Sequence, residues 1–294
     1  LATIGIGTKL KINIGLVAAA FAFVIGTAVG GLSGSRIIGL FPTTLFLNYL
    51  LATFLFGFAG HNGTLKKLAN HILYTCRNAG WLLGLLFFAV VYIASALGSG
   101  NSAPFFTSAI LFSLAGQAGI HPLLVPVAIW IGSMIGSDMP WASGYAVDVG
   151  QLEIYYDPAT TVQYVTSFYI WRAAFFIGVY LVLFVILKGY KVKSSTLELE
   201  KPEPLDRKQK QSLAIIFAII AAMILSAALT TLLPGVIPAS VSNVFSFQTL
   251  SALGIIANIL LKTAPYEDVL KHRIPWDTLL MLTLTGMYMA LSEP

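Results

Sequence analysis

Apolar runs of about twenty residues follow one another along this chain, separated by short polar or glycine-rich breaks. They predict helical spans at 12–31, 37–59, 81–97, 104–118, 122–147, 163–188, 212–233, 239–261 and 276–292. Two breaks fall within apolar sequence. The first is Gly98-Ser99-Gly100-Asn101-Ser102-Ala103-Pro104, and the second runs from Gly136 through Ser137, Asp138, Met139, Pro140, Trp141, Ala142 and Ser143 to Gly144. Lipid offers no partner for free backbone N–H and C=O groups, so irregular backbone at that depth must be buried by protein or meet a watery cavity. Two breaks about forty residues apart are the pattern of a transporter's midplane binding site.

The arm 104–118 would reach only roughly 22 Å as a helix, against a hydrocarbon thickness near 30 Å. Residues 81–118 are therefore expected to form a re-entrant hairpin with its tip at Ser99 to Pro104. Residues 122–147 are expected to form a broken helix. Two full spans would give the same parity, so length and the Gly/Ser/Asn/Pro tip argue for the hairpin.

Composition fixes the class. The chain is 57% hydrophobic and 10% charged, where a soluble domain carries about 25% charged residues. With a mean hydropathy of +0.84, this is an all-α polytopic membrane protein. No secretory signal pattern is visible. The single cysteine, Cys76, excludes a disulfide within the chain and a cysteine-only metal cluster. The net charge of +5 is gathered at Lys66, Lys67 and Arg77, at Lys188 to Lys210, and at Lys262 to Arg273. That is the positive-inside pattern rather than a nucleic-acid surface, and it places 60–80 and 188–211 in the cytoplasm. The acidic stretch from Asp148 to Val162 is expected to be an external loop.

An internal echo joins the two halves. Phe41-Pro42-Thr43-Thr44-Leu45-Phe46 opens one span and Ile274-Pro275-Trp276-Asp277-Thr278-Leu279 another of opposite direction, as in an inverted repeat. Residues 1–190 then form a first repeat lacking its first span, 191–211 a cytoplasmic linker, and 212–294 the start of a second repeat. The chain is expected to be a fragment cut at both ends.

Lys11-Ile12-Asn13-Ile14-Gly15, Gly60-His61-Asn62-Gly63-Thr64 and the Gly-Asn-Ser tip resemble the malonate/dicarboxylate carrier family of the ion-transporter superfamily, related to divalent-anion/sodium symporters. The resemblance is strongest over 10–150 and thinner over 205–294. It implies an inverted-repeat ion-transporter fold, a hairpin and broken helix in each repeat, elevator-type transport and a homodimer. The superfamily often has a Ser-Asn-Thr tip. Here the equivalent residues read Gly100-Asn101-Ser102, and the first lacks the hydroxyl. The second repeat's hairpin and broken helix are not in this sequence.

The candidate site follows from what an anion and a cation need. An anion takes free N–H groups at a helix start, with Asn101 and Ser102 as side-chain donors, joined by Ser99, Gly100, Pro140 and Ser143. Sodium takes oxygens from Ser99, Asn101, Gly136, Ser137 and Asp138. An acid in mid-membrane is a functional-site hypothesis by default; the alternatives to sodium binding for Asp138 are proton coupling and a helix cap at Met139-Pro140. Arg172, near the outer end of its span, either snorkels to the interface or attracts an anion. Asp277 is expected near a helix start, and Asn48 and Asn258 between helices. His61 and His121 have no second ligand at metal spacing.

No phosphate loop or nucleophile–base pair stands out, so an enzyme is not expected. The sequence is read as a secondary active transporter in the bacterial cytoplasmic membrane. It would move a small dicarboxylate such as malonate with a cation, sodium before proton, and no other cofactor. Citrate, sulfate or another oxyanion remains open as substrate. A channel, an integral membrane enzyme and a scaffold are the alternatives of other classes.

Overall fold

The structure, a computed structural model, describes residues 2–75, 80–99, 103–191, 200–232, 238 and 244–291. Among these residues there are fourteen α-helices and no strand. In chain order they are α1 (Ala2–Leu10), α2 (Ile14–Ala28), α3 (Gly34–Gly39), α4 (Thr43–His61), α5 (Thr64–Thr75), α6 (Leu83–Ala94), α7 (Ala103–Ala118) and α8 (Leu124–Ser137). There follow α9 (Ser143–Leu152), α10 (Pro158–Ile186), α11 (Arg207–Leu232), α12 (Phe247–Leu260), α13 (Tyr266–His272) and α14 (Trp276–Ala290). Thr43–His61, Gly80–Leu97, Pro158–Ile186 and Arg207–Ser226 are long and apolar enough to cross a membrane.

Local chemistry sets the helix starts. The Asn13 side chain accepts from the Gly15 amide, and the Ser246 hydroxyl accepts from Thr249. Asp206 and Gln209 cap each other's amides at 2.8 and 3.0 Å, a capping box before α11. Asp157 accepts from the amides of Ala159 and Thr160, with Pro158 in the first turn of α10. The Thr160 hydroxyl and these amides hold the Asp157 carboxyl below its ordinary range.

Several elements differ from the hydropathy pattern. The run 37–59 is two helices, because Pro42 has no N–H to continue α3. The connection 60–80 contains α5, which buries Leu65, Ala69 and Leu73 on one side and exposes Lys66. The stretch from Asp148 is not a loop: α9 runs through it to Leu152, and α10 starts at Pro158. α12 has fourteen residues and is shorter than the run 239–261.

Four apolar clusters hold the described helices, and two of them set the main layers. The larger joins α6, α7, α8 and α10 through Phe87, Val91, Leu111, Leu114, Ala128, Ile131 and Tyr180. The Tyr180 hydroxyl donates to the Gly84 carbonyl. The second joins α4, α11, α12 and α13 through Leu55, Phe58, Ile219, Ile255 and Val269. α2 packs along α14 while α12 packs along α4, and α1 lies on α2 as α11 lies on α12. Both prolines of the sequence echo make the same turn. Pro42 has φ −75 and ψ 77, and Pro275 has φ −79 and ψ 71. The next amide returns to the preceding carbonyl in each, Thr43 to Phe41 at 2.8 Å and Trp276 to Ile274 at 2.9 Å. These are inverse γ-turns.

Polar side chains tie α4, α11 and α12 together. Gln248 donates to Asn48 at 2.8 Å. Ser212 and Thr263 both donate to the Asn258 side-chain oxygen, at 3.2 and 2.8 Å, and Asn62 donates to Ser212 at 3.0 Å. Asp277 lies in the first turn of α14 and accepts from the Asn13 amide group at 3.0 Å.

Candidate functional site

Two helix breaks meet. α6 loosens into a π turn at Ser95–Ser99, directly before residues 100–102. α8 stops at Ser137, and α9 begins at Ser143 after five intervening residues. The breaks touch because α8 brings small residues against α6. A Cβ on Gly136 would lie 2.5 Å from the Tyr92 carbonyl and 3.0 Å from the Ala96 amide nitrogen. The Trp141 indole then donates to the Ala96 carbonyl at 2.7 Å. That bond satisfies a backbone acceptor near the π turn, a need that lipid could not meet.

Asp138 caps the break and is buried. Its carboxylate is packed against Gly144, where a Cβ would lie 2.0 Å from Oδ1. The Ser137 hydroxyl donates to the Met134 carbonyl at 3.0 Å and lies 3.4 Å from Asp138 Oδ1. Arg172 reaches over from α10. Its Nη2 pairs with Asp138 Oδ2 and donates to Asp148 Oδ2 at 3.3 Å. Its Cζ lies 4.7 Å from the Phe168 ring centre. The hydroxyls of Tyr169 and Tyr92 donate toward the Met139 sulfur at 3.5 and 3.9 Å.

The arginine's position corrects the snorkelling expectation. The apolar run 163–188 puts Arg172 near one end, but the helix begins at Pro158 and ends at Ile186. Arg172 therefore has roughly 21 Å of helix on either side. The guanidinium turns toward neither helix end but inward, to the carboxylates of Asp138 and Asp148.

Of the predicted residues, Gly136, Ser137 and Asp138 are buried together at the break. Pro140 is exposed, and Ser143 opens α9 without capping it. Gly100, Asn101 and Ser102 lie outside the described residues. Ser99 ends the π turn. Asp148, Trp141, Tyr92 and Tyr169 are absent from the sequence-based set. One signal points to the first of these. Arg172 is the lone Lys or Arg between Arg77 and Lys188, whereas four acids share that stretch. An isolated arginine in an apolar helix needs an acid partner.

Beside this cluster lies a cavity of about 670 Å³ between α1, α2, α4, α9, α10 and α14. Asp148 and Phe168 reach its wall, and most of its lining is apolar, including Leu45, Met281 and Met289. No group of three or more His, Cys, Asp or Glu able to hold a metal occurs among the described residues.

A comparison with curated proteins finds no match. A comparison with protein families finds one for residues 1–137, described as the dicarboxylate carrier protein MatC N-terminus. The match covers α1 to α8 and reaches the edge of the second break, stopping at Ser137. The chain is thus similar to the N-terminal part of dicarboxylate carriers over residues 1–137, a little under half of its 294 residues.

Proposed function

We propose that the protein is a secondary active transporter that moves a small, malonate-like dicarboxylate with a coupling cation, sodium in the first reading. The observation that carries this is a buried acid, Asp138, at a helix break beside the π turn that leads into 100–102. The family match over residues 1–137 supplies the substrate class. In this reading Asn101, Ser102, Ser99, Gly100, Pro140 and Ser143 contact the anion. Ser99, Asn101, Gly136, Ser137 and Asp138 supply oxygens to the cation.

The mechanism is of the elevator type, in which α6–α9 move as a body against α2, α4, α11, α12 and α14. Support comes from the paired γ-turns at Pro42 and Pro275 and from the exchanged packing of α2 on α14 and α12 on α4. Exchanging α2 with α12 and α4 with α14 maps one contact onto the other, as an inverted repeat requires. The hairpin reading of 81–118 is supported by α7, whose sixteen residues span roughly 24 Å. In this reading the basic α4–α5 corner and linker face the cytoplasm, the membrane is a bacterial inner membrane, and the carrier acts as a homodimer. Proton coupling is the second reading. It is favoured because Arg172 already engages one carboxylate oxygen of Asp138, leaving fewer ligands for a metal ion.

The test is uptake of labelled malonate by the carrier in proteoliposomes, with and without a sodium gradient. Sodium-driven, saturable uptake abolished by Asn101→Ala and by Asp138→Asn is the expected result. Uptake driven by a proton gradient alone selects the second reading. No malonate uptake under either gradient moves the substrate to citrate, sulfate or another oxyanion. Normal uptake by both variants removes the site, and non-saturating flux means a channel.

A further inference from the structure

We infer that Arg172, with the hydroxyls of Tyr92 and Tyr169, forms a carboxylate-binding edge of the transport site; this rests on the dicarboxylate reading above. The guanidinium carries five N–H donors in one plane. A single nitrogen, Nη2, meets both Asp138 and Asp148. On the same group, Nε is buried and has no hydrogen-bond partner. The Phe168 ring covers one face of the guanidinium, so ligands must come to its edge in the plane. The edge that holds Nε also holds Nη2, which the two acids already engage, so Nε offers one charge-assisted N–H to a carboxylate oxygen.

Two more donors converge on the same turn. Tyr92 comes from α6 and Tyr169 from α10, and both hydroxyls are aimed at the Met139 thioether, a weak acceptor. Met139 is the neighbour of Asp138, so the three donors surround one break in the chain. The two hydroxyls also meet each other, so the bond left unmade there is that of Nε–H, which is costly in buried surroundings. A carboxylate oxygen supplies the missing acceptor. Asp138 and Asp148 hold the arginine in place and set two negative charges against one positive, so an anion arrives there together with the coupling cation. The arginine sits at the midpoint of α10, the depth at which a carrier's site is reached from either side.

The test measures KM and maximal rate for malonate uptake by the wild-type carrier, Arg172→Lys and the double variant Tyr92→Phe/Tyr169→Phe. Lysine keeps the positive charge for the two acids but removes the planar Nε edge. The expected result for Arg172→Lys is a KM roughly tenfold to a hundredfold higher, the loss of one charge-assisted bond, with the maximal rate within about threefold. The double phenylalanine variant raises KM by roughly threefold to tenfold. Malonate-induced thermal stabilisation should shrink in parallel. A merely structural arginine would lower the amount of folded carrier and leave KM alone, and unchanged KM in both variants overturns the inference. Should Arg172→Lys fail to fold, the phenylalanine variant decides by itself. Wild-type carrier that takes up no dicarboxylate defeats the functional reading and this inference with it. Intact dicarboxylate uptake with unchanged KM defeats this inference alone.

Discussion

The indole N–H of Trp141 donates to the carbonyl of Ala96 at 2.7 Å, joining the break after α8 to the π turn after α6. Without it a nearly buried carbonyl would face apolar surroundings. Trp141→Phe keeps most of the ring but removes the donor. The expected cost is about 1–3 kcal/mol, that of a buried acceptor left unpaired. Thermal unfolding in detergent should show a lower Tm, and Trp81→Phe, on an exposed side chain, should leave it unchanged. Equal Tm values for both variants would mean the bond is incidental.

Gly144 is the residue against which Asp138 packs. A methyl there would sit 2.0 Å from Asp138 Oδ1 and 2.7 Å from the Ser137 carbonyl oxygen. One neighbour is backbone and the other is held by Arg172, so neither yields easily. Gly144→Ala should cost about 1–3 kcal/mol as an overpacking change and abolish uptake. Gly178→Ala is the contrast: it lies in α10 with nothing within 4 Å, and should stabilise by about 0.5–1 kcal/mol. Wild-type uptake by Gly144→Ala would show that the geometry of this break does not matter for transport.

The charge cluster should respond unequally to losing its members. Arg172→Gln leaves two carboxylates without a counter-charge, an effect of about 3–5 kcal/mol for a broken buried pair. Asp148→Asn should cost less, because Asp148 is more exposed than Asp138 and lies 3.3 Å from the guanidinium. Combining Arg172→Gln with Asp138→Asn removes a charge of each sign and should recover much of the loss. Chemical or thermal unfolding of Arg172→Gln, Asp148→Asn, Asp138→Asn and the double variant reads this directly. Strict additivity of Arg172→Gln and Asp138→Asn would mean that the two residues do not interact.

What the sequence makes legible follows from how local each signal is. The breaks at 98–104 and 136–144 stand out because glycine, serine and proline interrupt apolar runs, and the second lies between α8 and α9. The Pro42 and Pro275 echo corresponds to two turns of the same geometry, since proline fixes φ wherever it occurs. Hydropathy alone misplaces the start of α10, because Asp157 and Pro158 begin the helix in polar sequence. That error moves Arg172 from the middle of a helix to its end and hides its pairing with Asp138. Asp148 is lost for a related reason: an acid near apparent loop sequence gives no sign of which helix will face it. α5 is hidden because its apolar stripe at Leu65, Ala69 and Leu73 is diluted by lysines.

The exchanged packing of α2 on α14 and α12 on α4 relies on a glycine on each side, and the two should not be equally sensitive. At Gly15 a methyl would lie 2.5 Å from the Leu280 carbonyl oxygen and 2.7 Å from the Met281 Cα, both backbone of α14. The helices would have to separate, and α2 also carries the Asn13 cap that bonds Asp277. At Gly254 the nearest atoms are Ile219 Cδ1 at 2.4 Å and Leu55 Cδ1 at 2.8 Å, the ends of side chains. Those can change rotamer, at about 0.5–1.5 kcal/mol for a side chain pushed off its preferred angle. Alanine in place of a mid-helix glycine returns about 0.5–1 kcal/mol. Gly254→Ala should therefore change stability little. Gly15→Ala should lose about 1–3 kcal/mol. Thermal unfolding of the two variants side by side measures the difference, and a Gly15→Ala variant as stable as wild type would mean that α2 and α14 do not pack this closely.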